Sequence, residues 1–208
     1  MSAWTDRARM LTAYVACAVW LVSGQAAAAG DSAPRKITVS DGAITISGPS
    51  GYCVDTRSSR DAPEGAFVLL GSCVSLNGSG RAPGTRALLT ATILLGAPPG
   101  EDLRVEFRRM ADFFVTEAGR TALSRDGDPG SVRITKIVAS GDILYVLAQD
   151  NAPLAGYPVE PEYWRAIFAR RGRMISLSVL GLPEAPIDTN DKRRLLDRFV
   201  SRIVTENS

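Results

Sequence analysis

The chain has 208 residues, a near balance of 24 Lys and Arg against 22 Asp and Glu, and no histidine. Its 45% hydrophobic and 22% charged content is that of an ordinary globular domain able to bury a core. The charge balance offers no basic stripe for nucleic acid. Without histidine there is no Ser-His-Asp or Cys-His unit and no imidazole metal site.

The first segment, MSAWTDRARMLTAYVACAVWLVSGQAAAAG, places Arg7 and Arg9 before an apolar stretch from Met10 to Val22 and a small-residue tract from Gln25 to Ala29. This is the three-part layout of a secretory signal, with cleavage options after Ala27, Ala28 or Ala29. The rival reading is an uncleaved anchor, but spanning needs roughly 20 apolar residues and this run has about 13. The expected organisation is a signal peptide over 1–29, a flexible lead over 30–36, one domain over 37–205 and a short tail over 206–208. Cys17 leaves with the signal, and Cys53 and Cys73 then meet an oxidising space where paired cysteines join. A redox pair wants C-x-x-C and zinc wants four ligands, so the expectation is a disulfide between Cys53 and Cys73.

In chain order, KITVSDGAITIS alternates around Asp41-Gly42 and predicts a hairpin. A polar loop bracketed by the two cysteines leads to a strand at AFVLLGSC (66–73). A mobile Gly-rich loop (76–86) precedes ALLTATILLG (87–96), apolar enough for a strand covered on both faces. Glu101-Asp102 open a helix with Leu103, Phe107, Met110, Phe114 and Ala118 on one face. Arg108 and Asp112 stand at i,i+4 spacing, and Gly119 is the expected break. Two hairpins follow, turning at 140–142 and at Arg171-Gly172, joined by the Pro-rich segment DNAPLAGYPVEPE. Such a long connection is unusual without a function. In the last hairpin Ile175, Leu177 and Val179 take one face, and Met174, Ser176, Ser178 and Leu180 the other. This mixed second face predicts a sheet partly covered on both sides. A terminal helix follows Asp188 as N-cap. Leu195, Leu196, Phe199, Ile203 and Val204 form its buried stripe, with Lys192, Arg193, Arg194, Arg198 and Arg202 on the wet face. The sum is an α+β fold: a largely antiparallel sheet with a central helix and a C-terminal helix packed on it.

Candidate chemistry is sparse. There is no P-loop, and the Gly78–Gly84 segment has the wrong spacing for a dinucleotide loop. Asp126-Gly127-Asp128 resembles the start of a calcium loop but is followed by Pro129-Gly130, which reads as a turn. Asp55, Asp61 and Glu64, with Arg57 and Arg60, could meet a ligand, but such a set is more often a solvated loop. Glu160 and Glu162 are a carboxylate pair of the kind glycoside chemistry uses, with no sign of a cleft around them. Asn77-Gly78-Ser79 fits a glycosylation acceptor.

The pattern Phe113-Phe114-x-Thr116-x-Ala118-Gly119-Arg120, the run Pro161-Glu162-Tyr163-Trp164 and the order of elements resemble a family of exported alphaproteobacterial proteins. More loosely, the element order is similar to the PsbP-like fold of photosystem accessory proteins, where a final hairpin also precedes a helix packed on an antiparallel sheet. The resemblance implies a periplasmic α+β domain and carries no catalytic residue. The resulting expectation is a non-catalytic periplasmic accessory or binding protein for a periplasmic protein or small ligand. No nucleic acid, cofactor, metal or catalytic residue is expected, nor a membrane span once the signal is cleaved. Its contact surface would be Tyr157, Tyr163, Trp164, Arg165, Arg170, Arg171 and Arg173, aromatic and arginine types that anchor interfaces; the competing reading has Trp164 and Phe168 alternating into the core of a strand, with Tyr157 the aromatic left exposed. The alternatives are a histidine-free hydrolase using carboxylates or serine, or an assembly factor held at the inner membrane by its N-terminal segment.

Overall fold

The computed structural model describes residues 32–94, 103–154 and 156–208. The expected signal segment and Glu101-Asp102 lie outside the described residues. The strands are β1 (Lys36–Val39), β2 (Ile44–Ser47), β3 (Tyr52–Ala62), β4 (Gly65–Ser72), β5 (Ala87–Leu94), β6 (Val132–Ser140), β7 (Ile143–Asp150), β8 (Glu162–Arg170) and β9 (Arg173–Gly181). The helices are α1 (Cys73–Asn77), α2 (Leu103–Phe114), α3 (Glu117–Leu123) and α4 (Thr189–Glu206). The fold is α+β. β1 and β2 form a hairpin of their own, and the other seven strands form an antiparallel sheet in the order β3-β4-β5-β9-β8-β7-β6.

Alternation sends successive side chains to opposite sheet faces. One face is closed. Val68, Leu70, Leu89, Ala91, Ile93, Trp164, Ala166, Phe168, Ile175, Leu177 and Val179 lie in one core with Leu195, Leu196, Phe199, Val200 and Ile203 of α4 and Ile44 and Ile46 of β2. Full burial of a side chain such as Phe199 stabilises by about 1.5–3 kcal/mol. The helix starts where expected, with the Asp188 carboxylate accepting from the backbone N–H of Asn190 and Asp191. It ends at Asn207, which is buried and whose amide accepts from Thr45 N and donates to Thr45 O and Ile203 O.

The second face is covered unevenly. Leu88, Leu144, Val146, Ala148, Tyr163, Ile167 and Leu180 meet Phe107 and Phe114 of α2 and Leu123 of α3. The break between α2 and α3 falls at Val115-Thr116 rather than at Gly119. Thr116 caps α3, its hydroxyl accepting from Gly119 N–H. Gly119 sits inside α3, where a Cβ would stand 2.0 Å from the carbonyl oxygen of Phe113. Among the described residues the ion pair found in α2 joins Arg109 to Glu106, where the expectation was Arg108 with Asp112.

Cys53 and Cys73 are joined in a disulfide, with Cα atoms 4.8 Å apart. The stretch between them is not a loop: residues 52–62 are β3, paired with β4 through a tight turn at Pro63-Glu64, and Cys73 opens α1. Polar residues were misleading there because β3 is an edge strand with one side open to water. The bridge therefore staples the start of β3 to the helical turn after β4. Elsewhere the β8–β9 turn is the expected Arg171-Gly172, both at positive φ, as a type I′ hairpin demands. The β1–β2 turn is longer than expected, with Ser40, Asp41 and Gly42 all at positive φ.

Candidate functional site

Strand register explains why the second face is open. One row of paired residues across it runs Leu69, Thr90, Ser178, Arg165, Val146, and the next runs Phe67, Thr92, Ser176, Ile167, Leu144. Apolar residues hold the ends of both rows, while their centres carry small hydroxyls and one arginine. Small side chains leave space that α2 does not fill. The result is a cleft of about 980 Å³ between the sheet, α2 and α3, floored by these rows short of Val146 and Leu144 and walled by Met110, Phe113 and Phe114. That volume is at the upper end of the range for small-molecule sites.

A strap crosses the same face. The segment after β7 contributes Leu154, Tyr157 and Val159 to the second core. From there Tyr157 reaches the far edge strand, where its hydroxyl donates to Asp55 Oδ2 at 2.6 Å and lies 2.8 Å from Ser58 Oγ. The register of β3 against β4 shifts between Asp55 and Arg60, an edge bulge that re-aims side chains. It brings Arg57, Ser58, Ser59 and Arg60 to the rim of the cleft. Burial pulls the Asp55 carboxyl upward, but hydrogen bonds from Tyr157, Ser58 and two backbone N–H groups outweigh it and hold the group below the usual carboxylate range. The same bond raises the Tyr157 hydroxyl above its ordinary value.

Both ends of the strap are tied to one arginine. Arg125 donates from its backbone N–H to buried Asp150 Oδ2 at 2.8 Å, and from its guanidinium to the carbonyls of Asp150, Ala152 and Glu160. Its side chain also lies 3.8 Å from the Asp150 carboxylate. Burial works against the Arg125 charge, and Asp150 partly restores it. The buried ring of Tyr163 has Arg125 at 5.4 Å and Arg165 at 5.3 Å, both within cation–π distance. Arg165 donates from Nε to Ser178 Oγ at 3.2 Å. Among the described residues no ion pair engages it, and no carboxylate lines the cleft.

The seven residues expected to form one contact surface are placed in three settings. Tyr157, Tyr163 and Arg165 face the cleft, Tyr163 being only 1% exposed. Trp164 points to the closed face, 6% exposed, its indole N–H donating to Thr189 O. Arg170, Arg171 and Arg173 lie at the β8–β9 hairpin end, where Arg171 donates to the carbonyls of Asn207 and Ser208. The Nε atoms of Arg170 and Arg173 are buried without a hydrogen-bond partner among the described residues.

Other sequence candidates turn out to be structural. Glu160 and Glu162 converge on Lys192 at 3.0 and 3.5 Å, and Thr189 donates to Glu162 at 2.6 Å. Lys192, expected on the wet face of α4, is 2% exposed because these two carboxylates neutralise it. The Glu160 carboxylate lies against Gly181, where a Cβ would stand 1.7 Å from its oxygen, so only glycine admits the pair. Asp61 accepts from Ser40 N–H, Asp126 from Ser124 and Asp128 N–H, and Asn77 exchanges hydrogen bonds with Ala33. What the sequence reading missed is the group Thr90, Thr92, Ser176, Ser178 and Arg125. The available signal was hydroxyls at alternate positions inside two otherwise apolar strands.

No protein-family model and no curated protein matches the chain. Among solved structures, a mutant of the protein Mog1 is similar, at 12% identity over 83% of this chain and 91% of that chain, with a TM-score of 0.40.

Proposed function

We propose that the chain is an exported, non-catalytic binding protein of the periplasm and that its binding element is the strapped cleft on the second sheet face. The observation that carries this reading is the construction of the cleft. Space is made by small hydroxyls in the middle of a sheet whose other face is fully closed, and a loop is tied across it by Arg125 and Tyr157. The nearby acids support a non-catalytic role, since Asp55, Asp150, Glu160 and Glu162 are each engaged in bonds that hold the fold. Export is supported by the disulfide, a bond of oxidising compartments, and by the three-part N-terminal segment. Among the described residues no helix is long and apolar enough to cross a membrane.

Two measurements test the reading. A small-molecule screen by protein NMR is expected to shift resonances of Thr90, Thr92, Ser176 and Ser178, and Met110→Trp, which fills the cleft, is expected to abolish those shifts. Hits that map elsewhere and survive Met110→Trp would remove the cleft from the function. Mass spectrometry of the chain recovered from cells is expected to find a mature N-terminus near Gly30; an intact Met1 would favour the anchored alternative.

A further inference from the structure

We infer that the cleft selects an amphipathic organic monoanion, with a carboxylate on Arg165 and an apolar body along Phe67, Met110, Phe114 and Ile167. The inference rests on the reading of the cleft as a binding site and names what that site takes.

Several cations among the described residues are withdrawn from bulk water, and some of them have carboxylate partners. Lys192 has Glu160 and Glu162, and Arg125 has Asp150. Taking a charge out of water is unfavourable unless it is paired. Arg165, like Arg170 and Arg173 at the β8–β9 hairpin end, has no such partner among the described residues, and of these three it is the one that lines the cleft. It sits half-buried in β8, a strand hydrogen-bonded on both sides, with its Nε–H used by Ser178 and its guanidinium beside the Tyr163 ring. Among the described residues the only hydrogen bond of its side chain is that one from Nε, which leaves the terminal N–H groups for something else in the cleft. Arg57 and Arg60 stand at the rim on the β3 side and add to a positive potential that no carboxylate of the described lining offsets.

The geometry favours a planar monoanionic head. A guanidinium with Nε occupied still presents a pair of terminal donors, and arginine holds carboxylates through two such bonds. The hydroxyls of Thr90 and Ser178, in the same row as Arg165, supply further donors around a second oxygen. The rest of the lining is apolar. Phe67, Leu69, Phe113, Phe114 and Ile167 offer surface, and Met110 and Met174 are side chains that adapt to irregular shapes. A small inorganic anion would leave that surface wet, and a neutral apolar molecule would leave Arg165 unpaired.

The test is an NMR titration with octanoate and, as its neutral counterpart, 1-octanol. Octanoate is expected to bind with shifts centred on Arg165, Thr90 and Ser178, and more weakly as ionic strength rises, while 1-octanol is indifferent to salt. Arg165→Gln is expected to weaken octanoate at least about tenfold, the scale of one charge-assisted contact, and to leave 1-octanol unchanged. Arg165→Lys, which keeps the charge and loses the fork, is expected to fall between. If octanoate and 1-octanol bind alike, with no salt dependence and no effect of Arg165→Gln, the anion assignment is overturned while binding in the cleft stands. If neither binds, both readings fail. The salt dependence needs no variant, so it decides the matter even if Arg165→Gln does not fold.

Discussion

The two faces of the seven-stranded sheet are made from the same strands, yet they solve opposite problems. On the closed face the central positions of β4, β5, β8 and β9 are apolar, and α4 with the β1–β2 hairpin packs on them. On the open face the same strands carry Thr90, Thr92, Ser176, Ser178 and Arg165 at the centre, and α2 and α3 close only the periphery. Lys192, on α4, has two carboxylates, whereas Arg165 in the cleft has none among the described residues. The lesson is that dense packing and unfilled volume are segregated by face. The closed side supplies the rigidity that lets the open side keep unfilled volume.

Substitutions can break that comparison. The largest expected effect is Phe199→Ala, which cuts a cavity into the dry core and should cost about 4 kcal/mol in chemical denaturation, whereas Met110→Ala at the cleft wall should cost about 1 kcal/mol. Equal losses would mean that the open face is as tightly packed as the other. Next, Lys192→Ala leaves Glu160 and Glu162 facing each other beneath α4 and should cost about 3 kcal/mol, while Arg165→Gln should change stability by less than about 1 kcal/mol. A large loss in the Arg165 variant would make it a structural cation. Replacing Cys53 and Cys73 by alanine should cost about 3 kcal/mol by the loop-closure model and weaken both faces together, because β3 borders each.

The smallest effect is on the strap. The Asp55 carboxyl is held below its ordinary value of 3.8, so its contribution is fully present above that value and is lost as pH falls through the lower, folded-state value. Hydrogen-exchange protection factors over residues 152–154 and 156–160 should therefore fall in acid below about pH 4 while those of the α4 amides hold. Asp55→Asn should loosen the strap by about 1 kcal/mol at neutral pH and remove that acid response.

Local signals told the truth about local structure. Asp188 capping α4, Arg171-Gly172 turning β8 into β9, and Ile175, Leu177 and Val179 sharing a face are all set by residues within a few positions of one another. Even the mixed second face of β9 was legible as partial cover. Lys192 was not, because its partners come from another strand some thirty positions earlier, and a lysine on a helix reads as solvated until those acids are placed beside it. The contact surface dissolved for a related reason: Tyr163 and Trp164 are adjacent in sequence, and a strand sends adjacent residues to opposite faces. The cleft escaped notice because its floor joins Thr90, Ser178 and Arg165 from strands that meet only in the folded sheet.

The pairing of β5 with β9 has a consequence for how the chain folds as it emerges. β5 is apolar along its closed face and largely buried on the other, and its second neighbour begins only at Arg173. A chain delivered N-terminus first could complete β3, β4 and β5 with β5 left as a bare, sticky edge until the last third of the sequence arrives. Such an edge is a template for pairing with other chains, and pairing between distant segments is slow to form. The early disulfide between Cys53 and Cys73 can be made while that wait continues. It would lock the first part of the sheet in register, leaving the β5 edge as the point at which a holding chaperone would matter most.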